Sequence, residues 1–510
     1  MKFVRILTCA ALAASMTFSA AAADAPKPAN PLANVAADSI THHTMSLHGA
    51  TLTYTARAGT IVIRNDDDKP QATMFYTAFS LDGANLRTRP VTFFYNGGPG
   101  SATLWLRQGS FGPKRVLVGN GMTTAPPPYR MVDNQYTLLD KSDLVFVDMP
   151  ATGFGRILPG GDPKSIFGSD NDTKAFGQFV QRYLTNFHRW NSPKVLFGES
   201  YGTPRTAMLV DYLQNAGVGI NGVVLQSSII NYWLASSDTY AGSSTNDWQY
   251  VFDVPTMAAT AWYYHAVANR PASLPAYMKQ IQVWDMGPYR DALAQGAWLP
   301  RAQYDSIVSQ LHDRIGLSEQ YIRNANLRID SARFRAELTR ERGLELGPYD
   351  ARYSVYMGEN RTEDQPQVGA DDASIDAPFI STTNEYLREE LGYRTNLQYM
   401  QSAGAAIVAA GGWDFSHDGS QTLNTAPDLA EAMTSNPSLR VFSANGWYDS
   451  VTPFQTTVYT LNHLGIDPHL QGHITYGFYP SGHMIYLNTT ALAQWRSDLG
   501  RWYDSLLRGK

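Results

Sequence analysis

The sequence has almost no cysteine, since Cys9 is the only one among its 510 residues. Cys9 lies near the start of the chain, in an apolar segment with the features of a secretory signal. Removal of that segment would leave a mature chain with no thiol and no possible disulfide, which excludes both a cysteine nucleophile and a disulfide-built scaffold.

The chain also lacks a charge excess of one sign. Its 40 basic and 45 acidic residues give a net charge of −5, which gives no indication of binding to nucleic acid or to an anionic membrane. No HExxH or CxxC spacing occurs, and the acidic run Asp66 to Asp68 lacks the spaced ligands of a calcium loop, so we read it as a hairpin turn. We therefore expect no metal and no cofactor.

The N-terminal segment predicts export. Lys2 and Arg5 precede an apolar stretch that is too short to span a bilayer, and small residues then precede Asp24. We predict a signal peptide over residues 1–23 and a Pro- and Ala-rich tether over residues 24–40, with no membrane anchor. An exported chain without disulfides is typical of the bacterial periplasm or of a secreted bacterial protein. The sequence does not indicate the oligomeric state.

What the chain does contain is the pentapeptide GESYG at residues 198–202. It follows the apolar run Val195 to Phe197 and precedes a segment with helical periodicity. A strand, a tight glycine-flanked turn and a helix are the context in which such a serine projects from a sheet as a nucleophile. Ser200 is therefore a candidate nucleophile.

Two further residues complete a catalytic triad. Asp449 follows the apolar run Val441 to Phe442, and His483 follows the strand-like segment that ends near Phe478. His483 would accept the proton of Ser200, while Asp449 would fix the imidazole tautomer. A single histidine in a loop is usually only a solvated or packed side chain, but the order Ser, Asp, His at successive strand ends favours the catalytic interpretation.

A glycine-rich loop, NGGPGS at residues 96–101, follows the apolar run that ends at Tyr95. A phosphate-binding loop is the rival interpretation, but neither Gly-Lys-Ser/Thr nor GxGxxG is present here. A loop after an early strand commonly supplies one oxyanion-hole N–H, and the residue after the nucleophile supplies the other. Gly98 and Tyr201 are the candidate donors.

Together, NGGPGS, GESYG, the aspartate of NGWYDS and the histidine of SGHM resemble the motifs of the serine carboxypeptidase family, and the similarity extends from about Thr51 to the C-terminus. The resemblance implies an α/β-hydrolase fold and an enzyme that releases C-terminal residues from peptides through an acyl-enzyme. It also implies a substrate-binding set that receives the peptide and its C-terminal carboxylate. That set is Asn96, Gly97, Glu199 and Met484.

The chain departs from the family pattern at three places. Ser101 stands where the family has cysteine, Ser110 stands where it has a second glutamate, and the family ending GHMVP is GHMIY here. The missing second carboxyl group bears on exopeptidase selectivity, and the changed ending bears on the pocket wall. An esterase or acyltransferase with the same triad is therefore the main alternative, followed by an endopeptidase or amidase and by a non-catalytic binding protein.

The periodicity of the remaining chain predicts a mostly parallel central sheet. Apolar positions from Phe176 to Phe187 follow helical spacing, and the elements around Ser200 alternate as strand, helix and strand. Residues 41–81 alternate as antiparallel hairpins, with turns expected at Ala58-Gly59 and at Asn65 to Lys69. We assign residues 41–230 and 401–510 to an α/β-hydrolase catalytic domain and residues 231–400 to a mostly helical lid, followed by a last amphipathic helix from Leu492 to Leu506.

Overall fold

The computed structural model describes residue 32 and residues 35–121, 123–234, 246–359 and 369–508. The predicted signal peptide and most of the predicted tether lie outside these residues. Ser39 and Ile40, which we assigned to the tether, are the first residues of a strand.

The described residues form one nine-stranded sheet and two small two-stranded sheets. The strands, in chain order, are β1 (Ser39–Leu47), β2 (Ala50–Arg64), β3 (Pro70–Leu81), β4 (Val91–Tyr95), β5 (Lys114–Val116), β6 (Met131–Asp133), β7 (Asp143–Val147), β8 (Lys194–Glu199), β9 (Gly222–Gln226), β10 (Leu344–Leu346), β11 (Ser354–Tyr356), β12 (Arg440–Gly446) and β13 (Ile474–Tyr479).

Helices in the described part of the chain flank the sheet and fill the segment between β9 and β12. They are α1 (Ser169–Asn186), α2 (Gly202–Asn215), α3 (Trp248–Tyr263), α4 (Leu274–Trp284), α5 (Arg290–Gln295), α6 (Arg301–Ile315), α7 (Glu319–Asn324), α8 (Ser331–Glu337), α9 (Asp372–Glu385), α10 (Gly404–Ala409), α11 (Ala426–Ser435), α12 (Phe454–Asn462), α13 (Pro468–Gln471) and α14 (Thr489–Arg508). Wider, π-helical turns occur at Leu106–Phe111, Asp285–Tyr289 and Tyr386–Glu390, and 3₁₀ turns at Pro163–Ser165, Tyr232–Leu234, Gly296–Trp298, Arg340–Arg342 and Ile485–Leu487.

The large sheet has the strand order β1-β2-β3-β7-β4-β8-β9-β12-β13. The strands from β1 to β3 pair antiparallel, as does β3 with β7, and all the later neighbours pair parallel. The central strands are short apolar runs that are buried throughout, as expected for parallel strands covered on both faces. The prediction of an α/β-hydrolase fold with N-terminal antiparallel strands is confirmed.

One of the two predicted hairpin turns is wrong. Ala58 and Gly59 lie within the long strand β2, and the first hairpin turns instead at His48 and Gly49, both of which have positive φ. At Gly59 the absence of a side chain leaves room for the Asp38 carboxylate, since a Cβ here would lie 2.0 Å from one of its oxygens. The second predicted turn is present, with the Asn65 amide donating to the Lys69 carbonyl at 3.1 Å.

Two apolar layers enclose the sheet, because alternate residues of each strand point to opposite faces. Phe94 of β4 faces the layer that contains Trp495 of α14, whereas Phe93 of the same strand faces the layer that contains Phe179 of α1. The predicted C-terminal amphipathic helix is confirmed as α14, whose Trp495 is fully buried.

The helices between β9 and β12 have an apolar cluster of their own. It contains residues of α3 to α8 and extends to Trp447, which follows β12 and stacks on Phe478 of β13 at 4.8 Å. Trp248 and Tyr250 are partly buried and pack against that cluster. Trp233 is exposed, and Tyr240 lies outside the described residues.

Among the residues with described structure, no helix combines the length and apolarity needed to cross a bilayer.

A buried carboxylate ties the early strands together. Asp143, at the start of β7, accepts hydrogen bonds from Arg89 at 2.5 Å, from Arg189 and from the Leu81 amide at 3.0 Å. Removing this acid would leave two buried guanidinium groups without their counter-ion, which is costly in a low-dielectric interior.

We therefore predict that Asp143→Ala lowers the free energy of unfolding by about 3–5 kcal/mol, measured by urea denaturation. Asp504→Ala is the matched control, because Asp504 pairs with Lys141 at 2.7 Å near the surface and its loss should cost less than about 1 kcal/mol. Equal losses in the two variants would contradict this account of Asp143.

Candidate active site

The residues singled out from the sequence meet at one edge of the sheet. Asn96 follows β4, Glu199 ends β8, Asp449 follows β12 and His483 follows β13. These four strands are parallel, so their carboxyl ends lie at the same edge. This edge is where open α/β sheets bind ligands.

Ser200 occupies the turn between β8 and α2 with a left-handed backbone, φ = +59°. A non-glycine residue adopts this conformation only where its surroundings enforce it. The Ser200 amide donates to the Gln226 carbonyl at 3.0 Å, and the Ser200 carbonyl accepts from the Thr203 hydroxyl at 2.7 Å. A Cβ at Gly198 would lie 2.0 Å from the Gly202 carbonyl oxygen, and a Cβ at Gly202 would lie 2.9 Å from the Tyr95 carbonyl oxygen, so both sides of the turn favour glycine.

The histidine and the acid are in direct contact. His483 Nδ1 lies 2.9 Å from Asp449 Oδ2, which also accepts a hydrogen bond from the Thr452 hydroxyl at 2.6 Å. The other carboxylate oxygen accepts from the Val451 and Thr452 amides, both at 2.9 Å. This arrangement holds Nδ1 against the acid and leaves Nε2 of His483 for the cavity that it lines together with Ser200.

The surroundings of His483 favour its protonated form, as a general base in an acyl-transfer reaction requires. Burial disfavours the charged imidazole, but the adjacent Asp449 carboxylate, together with Glu199 and Asp371, outweighs burial, and the pKa of His483 is raised above its usual value. The carboxylate therefore stabilises the imidazolium that proton transfer from serine would produce.

The loop after β4 passes directly over the turn at Ser200. A Cβ at Gly97 would lie 2.4 Å from the backbone nitrogen of Tyr201, so only glycine permits this approach. Gly98 has φ = +107°, and Tyr201 is the N-cap of α2, where backbone N–H groups have no helical partner. Gly98 and Tyr201 are thus placed where two N–H donors could converge on an oxyanion.

A buried ion pair supports this loop from behind. Arg205 of α2 donates to Asp172 of α1 at 2.6 Å and to the carbonyl of Asn96 at 2.7 Å. Both charged side chains are fully buried. The sequence analysis missed this pair, although Arg205 follows Ser200 closely in the segment GESYGTPR.

Glu199 is a buried acid next to the candidate nucleophile. Burial raises its pKa to about 7, against the opposing effects of His483 and of hydrogen bonds from Tyr486 and Asn96. The amide N–H of Leu106 donates to Asn96 Oδ1 at 3.1 Å, which leaves the NH₂ of Asn96 directed toward Glu199. Near neutral pH this carboxyl group is therefore partly protonated.

These groups line one cavity of about 450 Å³. Of the residues predicted from the sequence, those that line it are Asn96, Gly97, Gly98, Glu199, Ser200, His483 and Met484. The segment between β9 and β12 also contributes to its lining, with Tyr349 and the α9 residues Asp372, Ile375 and Asp376. Burial raises the pKa of Asp376 to about 6, with a contribution from Asp372.

The departures from the family pattern have distinct structural positions. Ser101 lines the cavity. Ser110, in contrast, is fully buried and its hydroxyl donates to the Leu106 carbonyl at 2.6 Å. The altered residue Tyr486 reaches the site, because its hydroxyl contacts both carboxylate oxygens of Glu199.

Several site residues were not identified from the sequence. Tyr349, Asp372 and Asp376 belong to a segment without a recognisable motif, so no sequence signal indicates that they reach the cavity. Thr452 could have been identified from the sequence, because it lies three residues after Asp449 in the segment DSVTP and its hydroxyl is within reach of that acid.

In the part of the chain that the structure describes, no group of three or more His, Cys, Asp or Glu side chains is arranged to hold a metal ion.

We predict that Ser200→Ala and His483→Ala each lower kcat/KM by roughly four or more orders of magnitude, and that Asp449→Asn also causes a large loss. All three variants should keep the wild-type circular dichroism spectrum. Labelling with a fluorophosphonate probe should modify the wild type at Ser200 and leave Ser200→Ala unmodified. Modification of a different serine, or near-full activity of Ser200→Ala, would refute the triad.

Part of the candidate site lies in a segment that is similar to a known family. The sequence profile described as serine carboxypeptidase matches residues 52–248, a range that contains Asn96, Gly98 and Ser200. Among solved structures, the chain is similar to Kex1(delta)p, a prohormone-processing carboxypeptidase from Saccharomyces cerevisiae, with 16% identity, coverage of 88% of this chain and 91% of that chain, and a TM-score of 0.49.

Two other similar structures are a proline iminopeptidase from Mycobacterium smegmatis and a putative aryl esterase from Burkholderia cenocepacia. The first has 11% identity, covers 88% of this chain and 98% of that chain, and has a TM-score of 0.37. The second has 12% identity, covers 88% of this chain and 99% of that chain, and also has a TM-score of 0.37. Similarities at this level do not discriminate between activities. Residues 52–248 resemble the serine carboxypeptidase family of hydrolases, and the motifs at residues 96–101 and 198–202 lie within that match.

Proposed function

We propose that this hydrolase is a serine-type carboxypeptidase that removes single residues from the free C-terminus of peptides. One observation carries the proposal: a buried acid, Glu199, lies next to the nucleophile with a pKa raised to about 7 and with Asn96 beside it. A carboxylic acid and an amide NH₂ are two neutral donors that can receive a substrate carboxylate.

The charges in the cavity explain why the donors must be neutral. Its lining residues include Glu199, Asp372 and Asp376, and no lysine or arginine of the described chain is among them. A substrate carboxylate would be repelled by an ionised Glu199, because two carboxylates at hydrogen-bonding distance cannot both stay charged without a large cost. Recognition of a free C-terminus therefore requires the protonated form of Glu199.

In the proposed hydrolysis, the residues of the candidate site have the following roles. Ser200 Oγ attacks the carbonyl carbon of the last peptide bond and His483 Nε2 takes its proton, while Asp449 stabilises the imidazolium. The N–H groups of Gly98 and Tyr201 stabilise the oxyanion. The imidazolium passes its proton to the departing amine, which leaves as a free amino acid. Water, deprotonated by His483, then hydrolyses the acyl-enzyme and releases the shortened peptide.

We predict that KM for a free-acid peptide rises with pH above about 7 and approaches about tenfold per pH unit, whereas KM for the matching C-terminal amide changes little. The sign follows from the raised pKa: Glu199 is protonated and donates below it, and is ionised and repels above it. Steady-state kinetics from pH 5 to about pH 9 provide the measurement.

Glu199→Gln is the matched variant for this experiment, because its neutral amide can donate at every pH. It should flatten the rise of KM without abolishing turnover. Identical pH profiles for the acid and the amide in the wild type would instead favour an esterase or acyltransferase that uses the same triad.

We also propose that the enzyme acts in the periplasm or outside the cell. The support is the N-terminal sequence pattern and the absence of cysteine after Cys9.

The exported protein should begin near Asp24 and should keep full activity in the presence of a thiol reductant, because its mature chain has no cysteine. Intact-mass measurement of the purified exported protein, combined with assays with and without reductant, gives both answers. A mature mass that includes Cys9, or that carries lipid, would overturn the proposed export route.

A further inference from the structure

Tyr486 lies beneath the candidate carboxylate site. It belongs to the 3₁₀ turn Ile485–Leu487, shortly after His483, and its side chain is buried. Its hydroxyl oxygen lies 3.2 Å and 3.1 Å from the two carboxylate oxygens of Glu199. The same hydroxyl is within hydrogen-bonding reach of Asn96. Tyr486, Glu199 and Asn96 therefore form one connected group.

The ring of Tyr486 is held closely by the backbone of the neighbouring turn. A Cβ at Gly109 would lie 2.3 Å from Cδ2 and 2.5 Å from Cε2 of this ring, so Gly109 and Tyr486 fit together without spare room. The phenol has little freedom to turn away from Glu199. Its hydroxyl is thus a fixed donor rather than an incidental contact.

We propose that Tyr486 is a positioning residue for carboxylate recognition: its hydroxyl orients the Glu199 carboxyl group beside Asn96 and sets the pH above which free-acid substrates bind poorly. The inference deepens the proposed carboxypeptidase function and rests on it. Tyr486 acts through Glu199 and does not contact the reacting atoms.

The direction of the effect follows from the chemistry of the two groups. Burial raises the pKa of Tyr486 well above its usual value, so the phenol remains neutral over the working range and can only donate toward an ionised carboxylate. Donation to the ionised form of Glu199 favours that form and opposes the effect of burial. Tyr486 therefore lowers the pH at which Glu199 loses its proton.

The other charged and titratable groups around Glu199 act independently of Tyr486. The positive form of His483 favours the ionised carboxylate, whereas Asp449 opposes it. Tyr349 also interacts with Glu199, and Asp372 and Asp376 line the same cavity. The hydroxyl of Tyr486 hydrogen-bonds to Glu199 and Asn96 and not to these other described groups, so a Tyr486→Phe variant removes that hydroxyl and leaves their charges in place.

The test compares the pH dependence of KM for a free-acid peptide and its amide in the wild type and in Tyr486→Phe. The midpoint of the rise in the free-acid KM should move upward by about half to one pH unit, the equivalent of one lost hydrogen bond. At low pH the free-acid KM should increase about threefold to tenfold because the acid is less well oriented. The value of kcat and the KM for the amide should change little.

Tyr479→Phe is the matched control. Tyr479 is also buried and donates to a carboxylate, Asp498, at 2.9 Å, but it does not line the cavity formed by the described residues. This control should shift neither the midpoint nor the low-pH KM. A shift of the same size in Tyr479→Phe would show a general effect of hydroxyl loss on stability and would overturn the role of Tyr486.

A second substitution at position 486 keeps the shape of the side chain and should shift the midpoint of the rise in the free-acid KM in the opposite direction. Incorporation of a ring-fluorinated tyrosine at position 486 makes the phenol a stronger donor, so the midpoint should move to lower pH. The infrared band of the protonated Glu199 side chain can be assigned because it is lost in Glu199→Gln. The pH at which this band disappears should rise in Tyr486→Phe and fall in the fluorinated protein, by the same amounts as the KM midpoints.

Different results would refute carboxylate recognition and the role of Tyr486. Equal pH profiles for acid and amide substrates in the wild type would refute carboxylate recognition itself. A clear difference in the wild type, together with an unchanged midpoint and unchanged infrared titration in both altered proteins, would leave carboxylate recognition standing and refute the role of Tyr486.

Discussion

The close approach of two backbone segments is the constraint on which the site depends. The loop after β4 crosses the turn at Ser200 so closely that a side chain at Gly97 would collide with the Tyr201 amide. This approach brings Asn96 and Gly98 alongside the nucleophile, and it is held by the buried guanidinium of Arg205 on the Asn96 carbonyl. The nucleophile, the candidate oxyanion donors and the candidate carboxylate donors are therefore fixed as one unit, as preorganised catalysis requires.

The segment between β9 and β12 contributes to the site in two physically different ways. Its helices pack into an apolar cluster that includes Trp447 and Tyr448, so this packing also supports the loop that carries Asp449. The later part of the segment supplies part of the cavity lining, through Tyr349 and the first turns of α9. The resulting cavity is acidic, which makes the protonation of Glu199 the decisive variable for any substrate that carries a free carboxylate.

Sequence reasoning is effective where local geometry constrains residue type. The turn at Ser200 demands glycine on both sides, and strand ends place Asp449 and His483, so the fold and the meeting of these residues could be predicted from short motifs. Sequence reasoning fails where a contact depends on packing between segments that are distant in the chain. Glycine often marks a chain reversal, which is why a turn is predicted at Ala58-Gly59, whereas Gly59 lies within β2 next to the carboxylate of Asp38. The contact of Tyr486 with Glu199 likewise requires the three-dimensional course of the chain.

The most direct test of the central claim is a mass-spectrometric ladder experiment on peptides with free and amidated C-termini, incubated with the enzyme below pH 7. Protonated Glu199 and Asn96 in the cavity lining predict stepwise loss of single residues from the free-acid peptides, with much slower loss from the amides and none with Ser200→Ala. Internal fragments, or equal rates for acids and amides, would contradict the account.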